Sequence, residues 1–242
     1  MNRLGIIGGL GPMATATFLK RIIQMTDAAR DQEHIDCLIA HCPSIPDRTR
    51  FLLDPTAPDP AAPMVEAGRM LAEMGAAAIA IPCVTAHGFH SRLSEAIPVP
   101  IYNGVDLAAG YLADRGIRRV GVMATDGTVG TGILEKGLVR RGIETVYPDA
   151  EGQRGVMDLI YRDVKAGLPA DRELFRRVSG GLFHRGAELV LLGCTELSVA
   201  AEDWLPPGRY LDILDVLAGR CVEDFGKLKP AYRELIKGED VR

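Results

Sequence analysis

An internal repeat restricts the fold of this chain more than any other feature of its sequence. LGIIGGLGP, beginning at residue 4, matches VGVMATDGT at residue 120, and GAAAIAIPCVTAH at residue 75 matches GAELVLLGCTELS at residue 186. The first pair joins an apolar strand to a glycine-bearing turn and a helix start. In the second pair, Gly-Ala precedes an apolar strand, and a cysteine follows the glycine by eight residues. Two units that recur at nearly one spacing indicate duplicated α/β domains.

Apolar runs and helical patterns alternate along both halves of the chain. Residues 76–82 and 188–193 have the length and composition of buried strands, and helical periods lie between such runs, as at residues 64–75 and 105–116. This alternation favours the α/β class with a parallel sheet. We therefore predict two pseudo-symmetric α/β domains with parallel-type sheets, and an active site in the cleft between them.

The predicted domain boundary lies in the proline-rich stretch IPVPIYNG, near residues 97–104. Residues 1–100, together with about 211–242, form the first predicted α/β domain, because we expect the C-terminal helix to return to it. Residues 101–210 form the second predicted α/β domain.

Three local predictions concern segments close to the repeat. PSIPDRT (43–49) is predicted to be a loop fixed by its two prolines, and TAHGFHSRLSEA (85–96) is predicted to be a helix. A further helix is predicted near residues 129–141.

The composition excludes several classes of function. The formal net charge is −4 with both signs dispersed, so no basic and aromatic stripe offers a nucleic-acid surface. The sequence has no uninterrupted apolar stretch of about 18 residues, and MNRLGIIGGLGP lacks the apolar core of a secretion signal. We therefore expect a cytoplasmic protein that contacts neither membrane nor nucleic acid. In a reducing compartment, five cysteines argue against a disulfide framework, so each is a core residue or a reactive thiol.

Cys83 and Cys194 each follow a predicted strand at its carboxyl end. Ligands of parallel α/β sheets bind beyond these ends, so pseudo-twofold symmetry would place the two thiols across one cleft. A thiolate on one face of a carbon can remove a proton while a thiol delivers another to the opposite face. Thiolate character requires a positive neighbour or a helix N-terminus, and both cysteines precede a predicted helix start.

Three polar residues near the cysteines are candidates to support this chemistry. Thr85 and Thr195 are each able to cap a helix or to hold a substrate oxygen. His87 lies one helical turn from Cys83, where it could tune the thiol. A surface or capping histidine is an equal alternative for His87.

Seven segments spread over essentially the whole chain form a recognisable family pattern: GIIGGLGPMATATF (5–18), DQEHI (31–35), PSIPDRT (43–49), IAIPCVTAH (79–87), ATDGT (124–128), VKAG (164–167) and LLGCTEL (191–197). In these segments the chain resembles the aspartate/glutamate racemases, which are amino-acid racemases that need no pyridoxal phosphate. The resemblance implies an isomerase with two α/β domains, a small-molecule substrate between them, no cofactor and a homodimeric assembly.

The resemblance also implies roles for particular residues. It implies Cys83 and Cys194 as the paired acid and base, and Arg48 and Lys165 as residues that assist in binding carboxylate groups. An arginine offers a bidentate fork to a carboxylate, and a nearby cation favours a thiolate. From spacing alone, Arg48 could instead anchor its loop, and Lys165 could be a solvated helix lysine. The positions expected to bind the substrate are Arg48, Val84, Thr85, Thr125, Lys165 and Thr195.

The sequence departs from the family pattern at two positions. Val84 stands where the family commonly has Asn after the first cysteine, and Cys42 stands where it commonly has Asn before Pro43. Valine cannot hydrogen-bond the amino or carboxylate group of an amino acid, and losing such a partner in a desolvated site costs about 1–3 kcal/mol. The departures therefore bear on the substrate and leave the proton-transfer residues intact.

Three functions follow from these observations. The first is a racemase or epimerase that acts on an acidic or a less usual amino acid. The second is an isomerase or decarboxylase of a small dicarboxylic acid on the same fold, which the apolar Val84 makes plausible. The third is a catalytically inactive ligand-binding relative, against which the two retained thiols argue.

Two weaker patterns are interpreted structurally. GIIGGLGP lacks the spacing of a dinucleotide fingerprint, and we expect a tight turn that lets the backbone approach a small ligand. His34, Cys37, His41 and Cys42 could suggest zinc, but neighbours on a strand point to opposite faces, so no metal site is predicted. Cys42 is instead a candidate for lining the substrate pocket.

Overall fold

The computed structural model describes residues 2–201, 205–206 and 208–235. The strands within these residues are β1 Arg3–Gly8, β2 Cys37–His41, β3 Ala76–Ala80, β4 Arg119–Ala124, β5 Glu144–Val146, β6 Leu189–Gly193 and β7 Tyr210–Asp212. They form two sheets, in the orders β2-β1-β3 and β5-β4-β6-β7, and every neighbouring pair is parallel. The prediction of an α/β fold with parallel sheets is confirmed.

Helices connect these strands. The α-helices are α1 Pro12–Met25, α2 Arg48–Leu53, α3 Ala61–Glu73, α4 His90–Ala96, α5 Gly104–Asp114, α6 Asp126–Thr131, α7 Ile133–Val139, α8 Ala150–Met157, α9 Arg172–His184, α10 Thr195–Ala200 and α11 Ile213–Phe225. A 3-10 helix spans Val84–Phe89, and α8 continues into a π-helical segment, Asp158–Val164. No helix in the described part of the chain is long and apolar enough to cross a membrane.

The first sheet is covered by helices on both faces. Successive residues of a strand point to opposite sides, and β1 follows this rule. Ile7 packs in one apolar cluster with Met64 of α3, whereas Ile6 packs in another with Phe18 of α1 and Leu217 of α11. Burial on both faces explains why β1 is a nearly continuous apolar run in the sequence.

The second sheet repeats this arrangement. Val122 of β4 packs with Val105 of α5 and Leu134 of α7 on one face. Its neighbour Met123 packs with Phe175 of α9 on the other face. Each half of the chain therefore has a parallel sheet between two helical layers.

The C-terminal helix α11 packs on the first half of the chain, through the cluster that joins Leu217 to Phe18. This packing agrees with the predicted return of the C-terminal segment. The predicted boundary near residue 211 falls inside β7, which pairs with β6 of the second sheet. Residues 236–242 of the predicted first domain lie outside the described residues, and the division into domains stays a prediction.

The structure corrects two local predictions. The last two residues of the predicted loop 43–49 begin helix α2, because the Asp47 side chain accepts a hydrogen bond from the Arg50 N–H and caps the helix. The single helix predicted near 129–141 is two helices, α6 and α7. They meet at Gly132, whose φ of 63° lies in the left-handed region that ends helices.

Candidate active site

The two repeated cysteines lie at the carboxyl ends of strands from different sheets. Cys194 directly follows β6, and Cys83 lies three residues beyond the end of β3. Both are buried, with exposed fractions of 7% for Cys83 and 5% for Cys194. Both line the same narrow cavity, as expected where parallel strands end and ligands bind.

All of the residues predicted for the site line this cavity: Cys83, Cys194, Arg48, Val84, Thr85, Thr125, Lys165 and Thr195. The cavity is narrow, with about 10 Å³ open to the centre of a water-sized sphere. The shared location agrees with the predicted roles, which themselves stay predictions.

Arg48 is anchored to the main chain around the cavity. Its Nη2 donates to the carbonyl oxygen of Leu10 at 2.9 Å, and its Nη1 donates to those of Pro46 at 3.0 Å and Ile45 at 3.3 Å. Nε is buried and has no hydrogen-bond partner among the described residues. Arg48 is therefore a loop anchor that keeps a cation, and one unused donor, at the cavity.

The positive charge of Arg48 interacts with the sulfur of Cys83. Burial alone would lower the pKa of Arg48, but its interaction with the Cys83 sulfur, followed by Asp47 and Glu196, raises that pKa above its usual range. A buried guanidinium next to a sulfur favours the thiolate form of that cysteine. Cys83 therefore has the positive neighbour that the chemistry requires.

On the opposite side of the cavity, Glu196 links Lys165 to Cys194. Lys165 Nζ lies 2.8 Å from Oε1 of Glu196, and the Cys194 thiol donates to Oε2 at 3.0 Å. Burial disfavours the ammonium, but the Glu196 carboxylate prevails and raises the pKa of Lys165 to about 12. Lys165 is therefore charged and paired with Glu196 while its side chain stays 26% exposed, and its role in binding the substrate stays a prediction.

The same carboxylate also favours the protonated form of Cys194. Burial, followed by the charge and hydrogen bond of Glu196, raises the pKa of Cys194 well above its ordinary value, while Lys165 opposes this shift. The two thiols of the cavity therefore differ in their electrostatic surroundings.

Three threonine hydroxyls form a triangle between the two halves of the chain. Thr85 Oγ1 lies 3.1 Å from Thr125 Oγ1 and 3.0 Å from Thr128 Oγ1, and the latter two are 3.1 Å apart. Thr125 also caps α6 by accepting from the Thr128 N–H. Because each hydroxyl both donates and accepts, the triangle fixes the 3-10 helix after Cys83 against the first turn of α6.

Comparison with known proteins identifies the family. The sequence pattern of the family described as Asp/Glu/Hydantoin racemase matches residues 7–218. The chain belongs to the Asp/Glu/Hydantoin racemase family. The resemblance found in its motifs is thereby confirmed, and with it the enzyme class, an isomerase of the racemase type.

Individual members of the racemase family resemble the whole chain. The solved structure of an aspartate racemase from Picrophilus torridus is 30% identical, with a TM-score of 0.84 over 97% of this chain and 99% of that chain. The broad specificity amino-acid racemase RacX of Bacillus subtilis is 24% identical over 82% of this chain and 87% of that protein. Glutamate racemase from Thermus thermophilus shares the fold, with a TM-score of 0.60 at 22% identity over 100% of this chain and 94% of that chain.

Two residues with predicted or possible roles are not among those that line the racemase cavity. His87 is buried, and burial, reinforced by His90, lowers its pKa to about 3. Its ring faces Gly104, so a neutral His87 supplies no charge to Cys83. Cys42 is half-buried, and its backbone instead packs against Gly9, where a Cβ would come within 2.6 Å. Cys42 is not among the residues that line this cavity, and its place in a substrate pocket stays a prediction.

Sequence reasoning missed several residues of the cavity, of which Glu196 and Tyr161 matter most. Glu196 is two residues after Cys194, in the first turn of a helix that directly follows an apolar strand. This position was the available signal, because such a helix begins at the ligand-binding edge of the sheet. Tyr161 donates to Asp47 Oδ2 at 3.1 Å from the π-helical segment, and no local pattern marks it.

Proposed function

We propose that this protein racemises or epimerises an α-amino acid without a cofactor, with Cys83 and Cys194 as its paired acid and base. One observation carries the proposal: two buried thiols from different sheets line one cavity, and each has a cation nearby, the buried Arg48 for Cys83 and the partly exposed Lys165 for Cys194. A structural cysteine requires no charged neighbour, whereas a thiol that exchanges protons does.

The proposed reaction is a two-sided proton transfer. One cysteine, as the thiolate, takes the α-proton from one face of the substrate carbon. The other cysteine, as the thiol, delivers its own proton to the opposite face, and the configuration inverts. In the reverse direction the two cysteines exchange roles. The electron pair of the broken C–H bond stays on the carbon until the new C–H bond forms.

Cations at both sides of the cavity support binding of the substrate carboxylate. The free Nε of Arg48 offers one buried donor, and Lys165 can exchange its Glu196 partner for a substrate oxygen. Negative charge develops on the substrate as the α-proton leaves, and these cations stabilise it in a water-poor site.

The substrate class is proposed as an amino acid that is acidic or less usual. The named relatives act on aspartate or on a broad range of amino acids, by their descriptions. Val84 adds an apolar surface to the cavity wall, where it is 2% exposed. This surface favours substrates that need no hydrogen-bond partner at that point.

The test is a screen for α-proton exchange in deuterium oxide, read by NMR, across D- and L-amino acids and without added cofactor. We expect the wild type to replace the α-proton of both enantiomers of at least one amino acid, and Cys83→Ala to lose this exchange for the enantiomer whose α-hydrogen faces Cys83. Cys37→Ala is the control, because Cys37 lies on β2 outside the cavity lining and its loss should leave the rate unchanged. Full exchange of both enantiomers by Cys83→Ala would refute the mechanism.

The apolar wall at Val84 supports one second candidate. A substrate without an amino group would not require a polar residue there, so an isomerase or decarboxylase of a small dicarboxylic acid fits the same cavity. Including maleate and related dicarboxylates in the screen separates the two reactions. A ligand that raises the melting temperature without any turnover would instead indicate a binding protein.

We also propose that the protein is a cytoplasmic homodimer, as the family resemblance implies. Light scattering on the purified chain should give twice the mass of 26.1 kDa, and a monomer would contradict this.

A further inference from the structure

The two thiols of the cavity lie beside groups of opposite charge. The Arg48 guanidinium interacts with the sulfur of Cys83. This interaction contributes to the raised pKa of Arg48, which burial alone would lower. The Cys194 thiol instead donates to the Glu196 carboxylate at 3.0 Å. A cation favours the thiolate form of a neighbouring cysteine, and a carboxylate favours the thiol form. The free protein therefore holds its two cysteines in unlike protonation environments.

Glu196 is fixed in the orientation that accepts the hydrogen bond of the Cys194 thiol. It is 5% exposed, and Lys165 Nζ holds its other oxygen at 2.8 Å. A buried carboxylate held at both oxygens cannot turn away from the thiol without breaking the pair with Lys165. The contact is therefore a property of the cavity and does not depend on a mobile surface side chain.

The other titratable groups near the cavity do not accept the hydrogen bond of the Cys194 thiol. Burial raises the pKa of Tyr161 to about 12, so this phenol is neutral. Asp47 accepts from Tyr161 and caps α2. Further along α10, Ser198 donates to Asp212, which is not among the lining residues. Glu196 is the group that accepts the hydrogen bond of the Cys194 thiol.

We propose that Glu196 is a positioning residue that keeps Cys194 protonated in the free enzyme, so that Cys83 is the first base and Cys194 the first acid. This inference rests on the proposed racemase function. The Cys83 thiolate takes the α-proton, and the carbanion takes the proton of the Cys194 thiol. After the product leaves, Cys83 is a thiol and Cys194 is a thiolate beside the Glu196 carboxylate. Proton exchange with water, one proton lost at Cys83 and one gained at Cys194, restores the starting form.

This starting form treats the two enantiomers differently. The enantiomer whose α-hydrogen faces Cys83 binds to an enzyme form in which that base is already a thiolate. The other enantiomer requires the less stable form, in which Cys194 is the thiolate and Cys83 the thiol. For an amino acid with one stereocentre the equilibrium constant is one, so kcat/KM is equal in both directions. The asymmetry therefore appears as parallel differences in kcat and KM between the enantiomers.

Alkylation by iodoacetamide without substrate tests the starting form directly, because only the thiolate reacts. Each cysteine is followed by peptide mass spectrometry over a series of pH values, and the limiting rate at high pH separately reports access. In the wild type, we expect the pH midpoint of Cys194 to lie above that of Cys83, because Glu196 accepts a hydrogen bond from the Cys194 thiol and favours its protonated form. Equal midpoints, or the reverse order, would overturn the proposal without any variant.

Variants at position 196 then test whether the charge of Glu196 causes the high pH midpoint of Cys194. Glu196→Gln removes the charge at similar size and should lower the pH midpoint of Cys194, so that its alkylation rate at a fixed pH below that midpoint rises about tenfold or more. Glu196→Asp keeps the charge and should restore much of the shift, and Glu151→Gln, exposed on α8, should change nothing. A folded Glu196→Gln protein with an unchanged midpoint refutes the role of Glu196.

The two proposals fail in different experiments. If the wild type exchanges no α-proton, the racemase function fails whatever the alkylation shows. If an active racemase shows equal midpoints for its two cysteines, only the inference about Glu196 fails.

Discussion

Replacing Val84 by Asn restores the residue that the family commonly has after the first cysteine. Val84 is 2% exposed, lines the cavity, and packs with Val105 and Leu134 in the apolar cluster of the second sheet. The substitution changes little volume but introduces an amide with two donors and one acceptor at the cavity wall. It therefore adds a polar partner for the substrate while leaving both cysteines in place.

The expected effects have opposite signs for binding and for folding. A new hydrogen bond to an amino acid in a desolvated site is worth about 1–3 kcal/mol, or roughly tenfold to a hundredfold in kcat/KM. In the empty protein the same amide faces apolar neighbours. Its burial should cost about 1–3 kcal/mol of unfolding free energy. Val84→Asn should therefore be less stable and yet faster on aspartate.

The assay compares kcat/KM for aspartate between the wild type, Val84→Asn and Val84→Ala, with urea unfolding of each. Val84→Ala is the matched control, because it also loses packing at the wall but adds no hydrogen-bonding group. We expect only the Asn variant to gain activity on aspartate. If both variants change kcat/KM for aspartate by the same factor, the account of Val84 as a substrate determinant is wrong.

Two further predictions concern neighbours of the cysteines. Because burial, with His90, lowers the folded pKa of His87 to about 3, its stabilising effect is fully present above about pH 6.5 and is lost as the pH falls towards 3. In urea unfolding at several pH values, the unfolding free energy of the wild type should fall on acidification by about 2–4 kcal/mol more than that of His87→Gln. The same pH dependence in both proteins would contradict the burial of a neutral ring. Thr85→Val leaves the hydroxyls of Thr125 and Thr128 one partner short and should lower the unfolding free energy by about 1–3 kcal/mol, with Thr85→Ser close to the wild type. A Val variant as stable as the wild type would show that the hydroxyl triangle contributes nothing to stability.

The positions of the two cysteines could be anticipated because they depend on rules that act along the chain. An apolar run with strand length marks β3 and β6, and a parallel sheet gathers polar residues at its carboxyl edge. The repeat then indicates that the second site copies the first. Arg48 and Lys165 required the family motifs, since nothing in their local sequence places them at this edge.

Other features could not be read from the sequence because they depend on partners far along the chain. From the sequence alone, Glu196 would be assigned to the surface. The fold pairs it with Lys165, which lies 31 residues earlier in the chain. Strand β7 has three residues, too few to show a period of two, and its sequence runs directly into α11. The orientation of His87 towards Gly104 depends on how the 3-10 helix packs against α5, which the spacing from Cys83 does not indicate.

Inversion of configuration by single-cysteine variants tests the central claim most directly. Each enantiomer of the best substrate is incubated with the wild type, Cys83→Ala, Cys194→Ala and the Cys37→Ala control, and the product is resolved by chiral chromatography. General acid or base groups contribute about 10²–10⁴-fold to rates, so both cavity variants should lose inversion by at least about a hundredfold in both directions, while the control retains it. Inversion at the wild-type rate by either cavity variant would contradict the two-cysteine account.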